Sequence, residues 1–216
     1  MSMPLALLRA SRHVVRLALV GGWLAAVACS NSSSQPPDVF IAATVGPGPQ
    51  SPANLCNFGS DAPWLEVGNA TAMKPVTVTD GHTSGGGLVH VTCTVHPVAD
   101  GFDVNLLVEQ EGEMGGSVSI ISTPNAGAVT ASGGSVAGIF ESAINGDFQE
   151  SSCTITYQYQ GGPVPDMPPI AAGRIWGHVS CGTAQNGGST VMLPDGGTGP
   201  RQCDGEADFL FEQCSE

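Results

Sequence analysis

Positive charge is scarce in this chain. Six Lys and Arg residues stand against 19 Asp and Glu. Three of the six (Arg9, Arg12 and Arg16) lie at the N-terminus, so only Lys74, Arg174 and Arg201 remain beyond it. Nucleic-acid binding needs clustered Lys and Arg to neutralise phosphate, and this composition excludes it. Docking on anionic lipid is disfavoured for the same reason. An acidic surface suits solubility, basic partners or cations.

Other absences narrow the field. No C-x-x-C pair occurs, so the usual zinc spacing is missing. No G-x-S-x-G occurs; Gly133-Gly134-Ser135-Val136-Ala137 comes near it, but Ser135 enters a strand and not a strand-to-helix elbow. Aromatic residues make up 6% of the chain, few for a sugar-stacking platform. Trp64, Tyr157, Tyr159 and Trp176 are the large ones, and core packing is their expected role. No long stretch carries a helical period.

Residues 1–28 read as a targeting segment. The three arginines give a positive n-region, and Leu17 to Val27 an apolar h-region. That run is too short for a bilayer, which needs about 20 apolar residues. Ala26-Val27-Ala28 fits the small-x-small pattern of ordinary signal peptidase. Followed by Cys29, the same residues resemble a bacterial lipobox. That resemblance implies a lipid on Cys29 and a membrane anchor. Cysteine parity agrees. The chain has seven cysteines, and setting Cys29 aside leaves Cys56, Cys93, Cys153, Cys181, Cys203 and Cys214. An even set in an exported chain reads as a disulfide framework. Fifteen pairings are possible for six cysteines. Cys181–Cys203 is the one singled out, because the intervening segment reads as one long surface loop.

After Cys29, Ser30 to Pro37 is polar and Pro-containing, unable to bury enough apolar surface to fold. The expected organisation is a signal peptide over 1–28, a lipidated cysteine and tether over 29–53, and a disulfide-linked domain over 54–216. Val39 to Val45, inside the tether, reads as a detached edge strand or a sticky linker. By analogy with lipoprotein sorting, Ser30 after the cysteine points to the outer membrane.

The remainder is Gly-, Pro-, Thr- and Val-rich, with short alternating runs between turns. This is an all-β signature. In Leu88 to His96, Val89, Val91, Cys93 and Val95 share one face, and His90 and His96 the other. Asp100-Gly101 signals a hairpin into Phe102 to Glu109. Ser117–Ser122, Ser135–Glu141, Cys153–Gln160, Gly173–Cys181 and Ala207–Cys214 complete the set. The centre of the last is apolar on both faces and so reads as buried on both sides. Gly161–Pro169 and Asn186–Pro200 read as loops. An antiparallel β-sandwich or barrel of about eight short strands is predicted.

At Cys93, Gly173-Arg174-Ile175-Trp176-Gly177-His178-Val179-Ser180-Cys181 and Phe209-Leu210-Phe211-Glu212-Gln213-Cys214, the chain is similar to Cys-rich lipoproteins predicted in myxobacteria. That likeness implies a compartment and no activity. In architecture alone, a Ser-rich tether before a disulfide-tied β-domain resembles the mycobacterial LpqH-type lipoprotein antigens.

Three functions stay open. The first is a non-catalytic, lipid-anchored binding or structural component of the envelope, needing no cofactor, with an unidentified protein or envelope polymer as partner. The second is a calcium-stabilised adhesive module. Asp204, Glu206 and Asp208 alternate, so on a strand they share a face about 7 Å apart, and calcium takes hard oxygen ligands. The third is an envelope hydrolase whose site is walled by the two loops. His90 and His96 stand about 20 Å apart along one strand and cannot chelate one metal.

Overall fold

The computed structural model describes residues 35–58, 60–71, 74–99, 101–113, 115–122, 136–142, 145–157, 168–193 and 195–216. The targeting segment, Cys29 and the serine run after it lie outside the described residues, as does Gly161–Met167.

The chain is almost all β. Its elements are β1 (Asp38–Gly46), one helical turn α1 (Ala53–Cys56), β2 (Ala62–Val67), β3 (Val78–Thr79), β4 (Thr83–Ser84), β5 (Gly87–Val98), β6 (Gly101–Gln110), β7 (Gly116–Ser122), β8 (Val136–Ser142), β9 (Gly146–Thr156), β10 (Ile170–Ala171), β11 (Arg174–Met192) and β12 (Thr198–Glu212). They form one sheet in the order β2-β1-β12-β11-β9-β8-β7-β6-β5-β4. The pairings between these strands are antiparallel.

The sheet curls until its ends nearly meet, as in a barrel. The Val95 amide donates to the Ser215 carbonyl at 2.9 Å, and the Ser215 amide to the Cys93 carbonyl at 3.0 Å. On the other side β3 pairs with β1, and Val89 exchanges 2.9 Å bonds with Gly81 and His82. Closure of this kind removes exposed strand edges, which otherwise template aggregation.

Alternation explains the strands. Val89, Val91, Cys93 and Val95 on β5 are buried, as are Val104, Leu106 and Val108 on β6. His90 and His96 face solvent. The interior is filled by Phe140, Phe148, Phe209 and Phe211 with aliphatic side chains between them. Each such burial contributes roughly 1.5–3 kcal/mol. β12 also carries Leu210 on its outer face. There Leu210 lies opposite Phe40 of β1 and Trp176 of β11 in a small second cluster. The expected burial of both faces of the closing strand is met by these two layers.

Three expectations are corrected. Val39 to Val45 is neither detached nor linker: it is the body of β1, hydrogen-bonded to β12 along its length and to β2 on its other edge. The folded domain therefore starts by Asp38 and not at residue 54. Asn186–Pro200 is not a loop: β11 and β12 stay paired out to Met192 and Thr198, past a bulge at Gly187–Ser189. Cys181 and Cys203 do not pair. They sit on neighbouring strands but out of register, Cys181 opposite Gly205 and Cys203 opposite Ala184, so neither faces the other. The bonds are Cys56–Cys203, Cys93–Cys214 and Cys153–Cys181.

The barrel has two poles. Asp38 and Glu212 pair at the first, where Cys214 is also bonded to β5. The second holds the far end of β1, the β8–β9 turn and the tip of the β11–β12 hairpin. Along β12 the two poles are separated by fourteen steps of strand, about 46 Å.

Candidate functional site

Asp204, Glu206 and Asp208 do alternate on the outward face of β12, but they do not converge. Their cross-strand neighbours on β1 are Gly46, Thr44 and Ala42, none of which brings a ligand oxygen from a charged side chain. Among the described residues, only Glu150, Cys153 and Cys181 offer three ligand atoms within 4.8 Å of one another. Both sulfurs there are locked in a disulfide, so no thiolate is available to a metal. The Glu150 carboxylate is structural: it accepts from the Thr183 amide (2.8 Å), the Thr183 hydroxyl (2.9 Å) and the Ser152 hydroxyl (2.6 Å).

Each of the three acids has its own surroundings. Asp208 Oδ1 lies 3.1 Å from His178 Nδ1, its cross-strand partner on β11. Asp204 is pressed against Gly48, where an added Cβ would fall 1.6 Å from Asp204 Oδ2. Its Oδ1 is buried and meets no donor among the described residues. Burial pushes the Asp204 carboxyl above the usual carboxylate range, and Glu206, Glu150 and Asp61 push it further. Ser51 offsets this only in part, because its hydroxyl donates to the Gly182 carbonyl at 2.8 Å.

A raised carboxyl means that the folded state holds the proton more tightly than the unfolded one. Stability at this site therefore falls as pH rises from the ordinary carboxylate range through the shifted value. Asp204→Asn should raise the melting temperature at pH 7, and the gain should vanish as both proteins are taken to about pH 3, below the ordinary carboxylate range. Equal melting temperatures at neutral pH would show that Asp204 is adequately solvated.

His178 titrates in a different window. The Asp208 hydrogen bond and the charges of Asp208 and Glu206 raise its pKa, outweighing burial. The charged imidazole then stabilises the fold below about pH 6.5, its unfolded value, and that contribution is lost as pH rises through the folded value. The melting temperature of the wild type should decline across that range. His178→Gln should flatten this part of the curve, and an unchanged curve would put the dependence elsewhere.

The His178–Asp208 pair has the geometry of the base and orienting acid of a nucleophilic triad. Ser180 lies two residues along the same face of β11. A general base must accept a hydrogen bond from its nucleophile, and no described hydroxyl gives one to His178. The other described histidines are dispersed: His90 pairs with exposed Glu111 at 3.1 Å, His82 faces its own turn, and His96 lies opposite Asp103. Of the expected hydrolase walls, one lies outside the described residues except for Pro168 and Pro169, and the other is a strand pair.

No protein-family model, curated protein or solved structure matches this chain. Function has to be argued from its own side chains. Among the described residues no helix is long and apolar enough to cross a membrane.

Sequence reasoning missed Arg201. It lies on β12 two residues from buried Cys203, so the alternation that turns Cys203, Gly205 and Ala207 inward turns Arg201 inward too. Its guanidinium carbon lies 4.2 Å from the Phe58 ring centre and 5.0 Å from that of Phe148. Trp64 packs edge-on to the same rings, at 6.0 Å and 5.6 Å. Nε and Nη2 of Arg201, and Nε1 of Trp64, are buried and meet no acceptor among the described residues. Desolvation lowers the Arg201 pKa. Counting in twos back from Cys203 was the signal that could have found it.

Proposed function

We propose that this protein is an exported lipoprotein held to the bacterial envelope, at the outer membrane, through an acylated Cys29. Its disulfide-tied barrel serves there as a non-catalytic binding or structural module. The observation that carries this reading is the cysteine pairing. Every described cysteine is in a disulfide, which leaves Cys29 as the odd member of seven. Three buried disulfides suit an oxidising compartment, and Cys29 stands at the cleavage position of a lipobox-like segment. The filled interior suits a rigid scaffold presenting its surface.

Two acyl signals give stable anchoring where one chain is marginal, so loss of the cysteine has an all-or-none effect. The full-length chain, expressed in a Gram-negative host fed an alkyne fatty acid, should carry the label and sediment with membranes. Cys29→Ala should lose the label and enter the soluble fraction. Label retained by the variant, or an unlabelled soluble wild type, would overturn the reading.

A further inference from the structure

One outward row of side chains crosses β8, β9, β11 and β12. Ile139 stands opposite Gln149, Gln149 opposite Gln185, and Gln185 opposite Gln202. Three amides thus lie on three neighbouring strands, each strand about 4.8 Å from the next. Their chain neighbours Phe148, Ala184 and Cys203 are buried, so alternation turns the amides outward. Gln149 and Gln185 are exposed, and Gln202 is half-buried. Glutamines in such a row can bond along it. Here none of the three side chains hydrogen-bonds to a described residue.

The surface beside this row is recessed. β9 carries one residue more than β8 between the Gly138–Glu150 and Val136–Cys153 pairs. β11 carries one more than β12 between Cys181 and Ala184. Bulges re-aim side chains and concentrate next to functional sites. At these two bulges lies an open groove of about 500 Å³. Half-buried Ala137 and Ile139 give it an apolar strip, and Gln149, Gln185, Ser152 and Thr183 give it polar walls.

Glu150 is the one ionisable residue lining the groove. Its carboxylate already accepts from the Thr183 amide and hydroxyl and from the Ser152 hydroxyl. It therefore fixes the wall. In a chain with 19 acidic residues, what the groove offers a ligand is a set of neutral amides and hydroxyls. An anion would also meet the field of the surrounding acids.

We infer that this groove binds a neutral glycan strand bearing N-acetyl groups, laid across the strands along the glutamine row. A primary amide presents two donors and an acceptor. An acetamido group presents one of each, so the two meet through paired hydrogen bonds, and sugar hydroxyls take what is left over. The acetamido methyl and the C–H face of the ring rest on Ala137 and Ile139. Equal amides repeated from strand to strand suit a polymer, with several modest contacts in place of aromatic stacking. This partner is a narrower form of the binding role proposed above, on which it rests, and lipid at Cys29 plays no part in it.

The test uses the full chain, ¹⁵N-labelled and purified in detergent. The side-chain amide resonances of Gln149 and Gln185 are assigned by their loss in Gln149→Ala and Gln185→Ala. The probes are three trisaccharides with the same β-1,4 linkage at matched ionic strength: N-acetylglucosamine, glucose and glucosamine. The N-acetylglucosamine trisaccharide should move both resonances to saturation, and the glucose trisaccharide should bind at least several-fold more weakly. Gln185→Ala, read on Gln149, should weaken the acetylated probe about tenfold, the loss expected for a pair of neutral hydrogen bonds. Gln149→Ala, read on Gln185, should do the same. Both side chains are exposed, so the melting temperature should stay in place. Unmoved resonances, equal affinity for the acetylated and the glucose probes, tightest binding of the cationic glucosamine probe, or full affinity in both variants would overturn the inference. None of these outcomes bears on the fatty-acid labelling of Cys29.

Discussion

Replacing Cys56 and Cys203 together by alanine should cost about 5 kcal/mol, the chain-entropy value for a loop of this size. The bond joins residues 147 apart, so it removes more freedom from the unfolded chain than either of the others. It also fastens α1 to β12, and both sulfurs are buried. The paired replacement avoids leaving a reactive thiol. Cys153–Cys181 spans only 28 residues, and its double replacement should cost less, about 3.5 kcal/mol on the same reasoning. Guanidinium unfolding under non-reducing conditions measures both. A midpoint unmoved by the Cys56/Cys203 change would mean that the reduced chain already keeps these segments together. The Cys93–Cys214 loop overlaps the first, so each bond shortens the loop the other closes, and removing both should cost more than the sum of the single losses.

The second large effect is expected at Phe148. This fully buried ring touches Trp64 and Phe58 and carries the Arg201 guanidinium. Phe148→Ala should lose about 3–5 kcal/mol, the range for deleting a buried ring whose cavity cannot collapse. Two disulfides tie the surrounding strands, which puts the value near the top of that range. Phe148→Leu should recover most of the loss by filling the volume. Denaturant midpoints at constant slope separate the two. A loss below about 1 kcal/mol for the alanine variant would mean that the second pole repacks freely.

The central strands were legible because they obey a strict two-residue period. β5 and β6 fall within two residues of the expected bounds, and Val89, Val91, Cys93 and Val95, the inward face named from the sequence, are all buried. β1 was hidden by the opposite property. Phe40 packs outward and Val39 and Ile41 inward, so no alternation shows, and Pro47, Pro49 and Pro52 give the neighbourhood a linker's composition. The outer hairpin was hidden because Gly187, Gly188, Gly196 and Gly197 read as loop. Its pairing is imposed by the adjacent strand and not by its own pattern. Disulfide pairing depends on register, which bulges shift and composition does not record. Gly138 illustrates the limit. A Cβ there would lie 2.5 Å from Cys181 Sγ, so that glycine makes room for the Cys153–Cys181 bond, yet nothing nearby in sequence marks it.

The candidate acids form the expected stripe on β12, and no further carboxylate faces them from β1. Alternation places three carboxylates on one face, but convergence needs neighbours from other strands, and His178 and Gly48 occupy those places. The glutamine row escaped because its parts come from β8, β9, β11 and β12, neighbours in the sheet whose pairing no local pattern records.

The position of β1 also fixes how the molecule bears load. The chain enters at the first pole, and β1 runs from there with nine residues paired to β12. A pull applied at Asp38 against a hold at the hairpin tip acts along the strand axis, so those hydrogen bonds are sheared together and not peeled one by one. Should β1 slip, only the segment up to Cys56 can be drawn out before the covalent bond to Cys203 takes the strain. Failure under tension is therefore bounded at both ends, by a strand that resists as a unit and by a sulfur bridge that arrests whatever follows.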